Sequence, residues 1–269
     1  MKRFFVLSIL SLLSIVALRA DDFALMRERL LKEIVLGDPS DPALSLPENS
    51  YRMQQYVGVM VNVAGITWQD LRRDTTFLWP DIPHLSGNRS FTPAHVCESY
   101  RRLMLMARAY SWPGSKLYHD EALLSDIRYG LSFLYTHAYN ERTRMIGNWW
   151  EWRIGIPWYY SYTVSMLYDV LSPEELSAFE RSTATFTYNF ARNGDLTFAN
   201  QASICRNLLF IGILTDNDTY VRTALEAAVP AFCDASTPAQ RMQAINRQNA
   251  IIRRQRAAAS SRKRDSAAG

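Results

Sequence analysis

The chain has 269 residues and a mass of 30.9 kDa, with 48% hydrophobic and 21% charged residues, and this composition excludes a disordered or fibrous protein. The formal net charge is +4, but residues 1–20 hold +3, residues 234–269 hold +6 and residues 21–233 hold −5. Because the basic excess lies only at the two ends, the central segment lacks the charge of a nucleic-acid-binding domain, and we expect no nucleic-acid partner.

The first 20 residues have the pattern of a secretory signal peptide. A basic pair precedes an apolar run from Phe4 to Leu18, and Ala20 ends the segment before two acidic residues. The run is shorter than the roughly 20 apolar residues that a membrane-spanning helix needs. We therefore expect residues 1–20 to be cleaved, and the protein to be secreted or periplasmic with no membrane contact after cleavage.

Residues 21–232 have the pattern of consecutive amphipathic helices, and no run alternates as a strand would. Three apolar series recur at helical spacing: Val96, Tyr100, Leu103, Ala107 and Tyr110; Leu124, Ile127, Leu131, Leu134 and Ala138; and Ile204, Leu208, Ile211 and Leu214. Helix starts are predicted at Thr92 and at Ser172, where Glu175 completes a capping box.

The pattern predicts an all-α fold, either an incomplete (α/α) toroid of antiparallel helix hairpins or an irregular bundle. Helix hairpins of a toroid need neighbours on both sides to bury their apolar faces. For an incomplete ring, we expect exposed apolar helix faces near residues 200–232.

The composition changes at Phe232, which is the last aromatic residue of the chain. Residues 233–269 are basic and cannot bury enough apolar surface to fold alone, so we expect a disordered basic tail. A shifted reading frame would produce the same change of composition. A basic arm that binds nucleic acid or an anionic polysaccharide is the remaining alternative.

The segment from Gly147 to Pro157 contains three tryptophans within four residues: Trp149, Trp150 and Trp152. Residues one or two positions apart on a helix point in different directions, so the three rings cannot all face one core. Flat aromatic rings are suited to the apolar faces of sugars. The pattern predicts a sugar-binding surface, and burial of these rings in the core remains the alternative.

Four segments occur in the order typical of one enzyme family: Ala-Arg-Ala-Tyr at 107–110, Pro-Gly-Ser-Lys-Leu-Tyr at 113–118, Asn-Trp-Trp-Glu-Trp at 148–152 and Leu-Thr-Phe-Ala-Asn-Gln at 196–201. They resemble the N-terminal α/α-toroid domain of polysaccharide lyase family 8, which contains the hyaluronate, chondroitin AC and xanthan lyases. The resemblance covers roughly residues 25–232. It implies β-elimination on an acidic polysaccharide of the hyaluronan, chondroitin or xanthan type.

The resemblance also assigns roles to single residues. Asn200 matches the catalytic asparagine, whose amide neutralises the uronate carboxylate; without the resemblance it would be interpreted as a helix N-cap. The motif that begins at Asn148 matches the sugar-binding aromatic patch, which gives Asn148, Trp149, Trp150 and Trp152 as substrate-binding residues. Arg153 stands where the family commonly has an acidic residue, and it could bind a uronate carboxylate or lie in solvent.

The resemblance ends near Phe232. In the family, a histidine and a tyrosine that act as proton acceptor and donor follow the asparagine, whereas residues 233–269 contain neither type. We therefore expect a truncated or frame-shifted lyase with impaired activity. The four histidines have no metal-ligand spacing, and we expect neither a metal nor another cofactor.

Two other functions remain open. A toroid glycoside hydrolase would need two carboxylates across a cleft, for which Glu151 and Asp195 are candidates. A non-catalytic carbohydrate-binding protein would use Trp149 and Trp150 alone.

Overall fold

The structure is a computed structural model that describes residues 18–73, 76–82, 92–194 and 198–233. The expected signal segment up to residue 17, the tail from residue 234 and Asp195 lie outside these residues. Within the described ranges the chain forms α1 (Ala20–Arg29), α2 (Pro47–Gln69), α3 (Pro93–Ser111), α4 (Glu121–His137), α5 (Ile156–Leu167), α6 (Pro173–Asn193), α7 (Phe198–Leu214) and α8 (Asp218–Cys233).

Short helical turns extend or connect these helices. They are π-helical turns at Leu30–Val35 and Glu151–Gly155, and 3-10 turns at Pro42–Ser45 and Tyr168–Val170. No strand occurs in the described part of the chain, so the predicted all-α fold is confirmed there. None of the described helices combines the length and the apolar character that crossing a membrane would require.

The three apolar series predicted from the sequence form buried faces of α3, α4 and α7. In α3, Val96, Tyr100 and Leu103 are fully buried, and in α4 so are Ile127 and Leu134. The α7 series is buried along its whole length. Since apolar residues three or four positions apart lie on one side of a helix, each series packs as one stripe against the neighbouring helices.

The helices pack mainly as sequential pairs. The turn at residues 215–217 joins α7 to α8, and such a short connection makes the two helices an antiparallel hairpin. Helix α5 contacts α3, α6 and α7 and buries most of its residues. It therefore lies in the middle of the described helices.

Large aromatic side chains fill the space between α3, α4, α5 and α6. The ring of Tyr139 stacks on Phe186, with 4.7 Å between centroids, and Tyr100 lies 4.7 Å from Tyr160. The Tyr139 hydroxyl donates a hydrogen bond to the carbonyl oxygen of Trp152 at 3.0 Å. Burial raises the pKa of Tyr100 and Tyr139 well above the usual range, so both remain neutral.

Exposed apolar side chains occur on α2 rather than near residues 200–232, where they were expected. Val59 and Ile66 on α2 are 63% and 55% exposed. Among the described side chains of α7 and α8, Leu225 is the one large hydrophobic residue that is exposed. For the side chains described between residues 200 and 228 the expectation was wrong, because α7 is covered by α1, α5, α6 and α8, whereas α2 packs mainly on α3.

The first turn of α6 has the capping box that the sequence predicts. The hydroxyl of Ser172 accepts the N–H of Glu175 at 3.3 Å, and Glu175 Oε2 accepts the N–H of Ser172 at 2.7 Å. Both N–H groups would otherwise have no partner within the helix. The Arg128 guanidinium donates to the same carboxylate at 2.8 Å, which ties α4 to the start of α6.

We expect Ser172→Ala to lower the free energy of unfolding by about 1 kcal/mol, because it removes the acceptor at the N-cap. Urea denaturation followed by circular dichroism measures the change. Thr185→Ala, at an exposed position in the middle of the same helix, is the matched control and should change stability by less than about 0.5 kcal/mol. Equal effects of the two substitutions would show that the cap does not stabilise α6.

Candidate active site

The segment from Gly147 to Gly155 turns the chain sharply before α5. Gly147 has a φ of +63°, a left-handed conformation that favours glycine, and a Cβ atom there would lie 3.0 Å from Cδ of Pro93. Asn148 is exposed, and its Oδ1 accepts the N–H of Trp150 at 3.4 Å. The turn therefore holds Asn148 at the surface beside the first turn of α3.

Trp152 is a core residue. It is fully buried, its Nε1 donates to the carbonyl oxygen of Ile146 at 2.7 Å, and its ring lies 6.0 Å from Tyr139 and 5.6 Å from Phe186. The ring has no exposed surface with which to contact a sugar. The sugar contact expected of Trp152 is thus contradicted by its burial, and we do not retain it as a binding residue.

Trp149 and Trp150 are half-buried and contact different helices. A Cβ atom on Gly155 would lie 2.7 Å from the Trp150 ring and 2.7 Å from Sγ of Cys97, so Trp150 packs tightly over this glycine towards α3. Trp149 packs against an apolar cluster of α6, α7 and α8 that includes Ile204. The two rings therefore reach both sides of the π-helical turn.

Arg153 lies between aromatic rings, and no carboxylate of the described residues pairs with it. Its guanidinium carbon is 3.2 Å from the centroid of Phe190 and 5.8 Å from that of Trp149. Its Nε is buried and has no hydrogen-bond partner among the described residues. Burial lowers the pKa of Arg153, but an arginine remains charged at neutral pH. The aromatic rings orient this half-buried cation, and no acidic side chain in the described ranges neutralises it, so it is suited to an anionic ligand.

Helix α7 is fixed to this turn by Asn207. The Asn207 side chain is almost fully buried, and its Nδ2 donates to the carbonyl oxygens of Arg153 and Ile154 at 3.4 and 3.0 Å. Asn200 lies seven residues earlier, hence on the same face of the helix and ~10 Å away along its axis. Asn200 is half-exposed and is the third residue of α7, so it is not the N-cap.

Glu151 also points into protein. Its Oε2 is buried and has no partner among the described residues. Burial and the nearby charge of Glu151 raise the pKa of the Cys97 thiol to about 12, which keeps that thiol protonated and unreactive at neutral pH. The second carboxylate of the hydrolase alternative, Asp195, lies outside the described residues.

Sequence reasoning missed four side chains at this junction: Phe190, which covers Arg153; Asn207, which holds the turn; and the stacked pair of Arg206 and Trp158. The sequence contained one sign of Arg206, because it is the only charged residue of α7. Among the residues with described positions, no group of three His, Cys, Asp or Glu side chains could hold a metal ion.

The sequence of residues 43–237 matches polysaccharide lyase family 8, N-terminal alpha-helical domain. The chain belongs to polysaccharide lyase family 8. The match covers more than half of the chain and includes the Trp-rich turn, Arg153 and Asn200. The predicted family and the predicted α/α-toroid fold are therefore confirmed.

Known members of the family are similar over most of the described helices. A hyaluronate lyase of Enterococcus faecalis is 28% identical over 179 residues, and a xanthan lyase of a Bacillus species is 31% identical over 190 residues. The structure of the Streptomyces coelicolor chondroitin AC lyase, in complex with chondroitin sulphate, superposes with a TM-score of 0.68 at 29% identity.

The similarity covers only a small part of these relatives. It includes 58% and 70% of this chain but 17% and 19% of the hyaluronate and xanthan lyases, respectively. For the chondroitin AC lyase it includes 78% of this chain and 27% of the relative. The chain therefore spans less than a third of the length of each.

We expect Gly155→Ala to lower the free energy of unfolding by about 1–3 kcal/mol and to shift the tryptophan emission maximum. The added methyl group would collide with the Trp150 ring and Cys97, although the backbone of Gly155, with φ −65° and ψ −55°, suits alanine. Thermal unfolding and fluorescence spectra measure both effects.

The matched control is Gly58→Ala in α2, where a Cβ atom would meet nothing within 4 Å. It should stabilise the protein by about 0.4–1 kcal/mol, since alanine loses less backbone freedom than glycine in a helix. A Gly155→Ala protein as stable as the wild type, with unchanged emission, would contradict the close packing of Trp150.

Proposed function

We propose that the protein acts on a uronic-acid-containing polysaccharide as a lyase, and that the turn at 148–153 and the start of α7 form its substrate site. The proposal is carried by one observation: Arg153, which has no acidic partner in the part of the chain that the structure describes, lies between the rings of Trp149 and Phe190, beside the helix that bears Asn200. Membership of a polysaccharide lyase family gives this arrangement its chemical interpretation.

Elimination from a uronate requires removal of the proton at C5. That proton is held tightly while the adjacent carboxylate is negatively charged, so the carboxylate must be neutralised by hydrogen-bond donors. The amide of Asn200 offers two N–H donors, and a fixed donor stabilises the enolate-like intermediate without reorganising. In this proposal Asn200 is the catalytic residue, Trp149 and Trp150 support sugar rings, and Arg153 binds a second acidic group.

The substrate class follows from the relatives, which are named as hyaluronate, xanthan and chondroitin AC lyases. All of these polymers carry carboxylate groups. Residues 21–233 carry a net negative charge, which repels an acidic polysaccharide except close to positively charged side chains. Arg153 is such a side chain. We propose an exported protein, because the apolar segment that begins at Phe4 has the pattern of a signal peptide.

We further propose that this chain alone eliminates slowly. General acid–base catalysis needs groups within hydrogen-bond reach of the C5 proton and of the leaving oxygen. The last histidine of the sequence is His137 and the last tyrosine is Tyr220, so no histidine or tyrosine follows the α7–α8 hairpin in the 269 residues. Sugar binding without rapid cleavage is therefore the second candidate function.

Titration of the full chain with hyaluronan, chondroitin and xanthan oligosaccharides should quench tryptophan fluorescence. We expect Trp149→Ala to weaken binding about tenfold, because a stacked ring lost from a binding site costs on the order of 1.4 kcal/mol. Tyr118→Ala, which removes an exposed aromatic ring near the opposite end of α3, is the control and should leave the dissociation constant unchanged. Absence of quenching by every acidic oligosaccharide would contradict the proposed site.

Ultraviolet absorbance of the unsaturated uronate measures elimination itself. We expect a slow release of unsaturated product that falls by about 10²–10³-fold in Asn200→Ala, the loss typical of removing one donor to a developing oxyanion. Asn189→Ala, at an exposed position on α6, should leave the rate unchanged.

The products separate the alternatives. Saturated ends with no ultraviolet signal would identify a hydrolase and make Glu151 the first carboxylate to replace. Binding with no cleavage would leave carbohydrate binding as the function. Elimination that survives Asn200→Ala would remove Asn200 from the mechanism.

A further inference from the structure

A second arginine lies on an aromatic ring beside the proposed site. The guanidinium carbon of Arg206 on α7 is 4.4 Å from the ring centroid of Trp158, which lies in the first turn of α5. Arg206 is the only charged residue among the seventeen of its helix. A half-buried cation on an otherwise uncharged helix is costly to retain unless it has a partner.

Arg206 uses little of its hydrogen-bonding capacity. A guanidinium has five N–H donors, and the contact at Arg206 is one bond from Nη2 to Oδ1 of Asn207 at 3.2 Å. Its Nε is buried without a partner, and no carboxylate of the described residues lies within ion-pair distance. Burial lowers the pKa of Arg206, but an arginine remains charged at neutral pH.

Two other half-buried arginines in the described chain have acidic partners, whereas Arg108, like Arg153, has none there. Arg102 pairs with Asp81, and Arg128 pairs with Glu175. The unpaired state of Arg206 is therefore not a general property of arginines in this protein.

Aromatic rings lie around Arg206, and those of Trp158 and Tyr162 meet edge to face, with 6.0 Å between centroids and 76° between ring planes. Trp158 stacks on Tyr159 with 5.7 Å between centroids and 8° between ring planes, and Tyr162 stacks on Phe210 at 5.7 Å and 15°. The Nε1 of Trp158 is also buried without a partner among the described residues. The cluster thus combines partly exposed aromatic rings with a partly exposed guanidinium that has no acidic partner in the described part of the protein.

We propose that Arg206 and Trp158 form a second saccharide subsite, which binds the anionic substituent of an acidic sugar unit. This inference rests on the proposed function. Arg206 follows Asn200 by six residues, which corresponds to ~9 Å along α7 and about 120° around it. The two side chains therefore contact different parts of a bound polysaccharide, Asn200 the unit that reacts and Arg206 another acidic unit.

The anionic substituent could be a carboxylate or a sulphate, both of which accept paired N–H donors from a guanidinium. Hyaluronan oligosaccharides carry carboxylates only, and chondroitin sulphate oligosaccharides carry both groups. Carboxyl-reduced hyaluronan oligosaccharides, which are uncharged, provide the reference ligand. Calorimetric titration of the full chain with the three ligands distinguishes the two sources.

We expect Arg206→Gln to weaken the binding of hyaluronan oligosaccharides about tenfold and the binding of the carboxyl-reduced ligand by less than twofold. Arg206→Lys keeps the charge but loses the planar pair of donors, so its effect should be intermediate. Trp158→Leu removes the ring on which Arg206 packs and tests the subsite if Arg206→Gln does not fold, since it should also weaken the binding of hyaluronan more than that of the carboxyl-reduced ligand. Arg181→Gln is the matched control, since this exposed arginine lies 5.7 Å from the Tyr135 ring on α4 and should not affect binding.

Each result decides the inference. Unchanged hyaluronan binding by Arg206→Gln, when Trp149→Ala weakens it, would overturn the subsite and leave the proposed function intact. Equal weakening for the charged and the carboxyl-reduced ligands would also overturn it, because a purely structural role predicts that pattern. A wild-type chain that binds none of the acidic ligands would refute the proposed function and the subsite together.

Discussion

The buried amide of Asn207 is the contact on which the geometry of the candidate site depends. Pro157 has no N–H, so the carbonyl oxygen of Arg153, four residues earlier, lacks its α-helical donor. The chain widens into a π-helical turn at this point, and Asn207 supplies donors to Arg153 and to Ile154 from another helix. If the partly buried carbonyl group of Arg153 were left without a donor, it would cost about 1–3 kcal/mol, so the turn and α7 are held together.

Two cationic side chains beside this attachment are half-buried and have no acidic partner among the residues that the structure describes. Arg153 in the π-helical turn and Arg206 on α7 belong to the two segments that Asn207 connects. Each packs on an aromatic ring, which partly compensates for its lost hydration. Away from the contact between Asn207 and the π-helical turn, Arg102 and Arg128 form ion pairs with carboxylates. Two half-buried arginines without a carboxylate partner in the described ranges thus lie where an acidic ligand is proposed to bind.

The aromatic core behind the turn gives the site its rigidity. Trp152 fills the space between Tyr139 and Phe186, and its N–H is bonded to the backbone of the same turn. A turn anchored by a buried ring on one side and by Asn207 on the other has little freedom to rearrange. Such a preorganised surface loses less conformational entropy when it binds a saccharide chain.

The sequence by itself determined the helices, the capping box at Ser172 and the family, because apolar periodicity, caps and linear motifs are local properties of the chain. Only the tertiary structure decided which tryptophan of the motif is buried: Trp152 enters the core, whereas Trp149 and Trp150 remain half-exposed. Only the tertiary structure revealed the hydrogen bond from Asn207 to the carbonyl oxygen of Ile154, 53 residues earlier, and the packing of Arg206 on Trp158 of α5. The physical reason is that burial and charge compensation depend on side chains from distant segments, which no local pattern records.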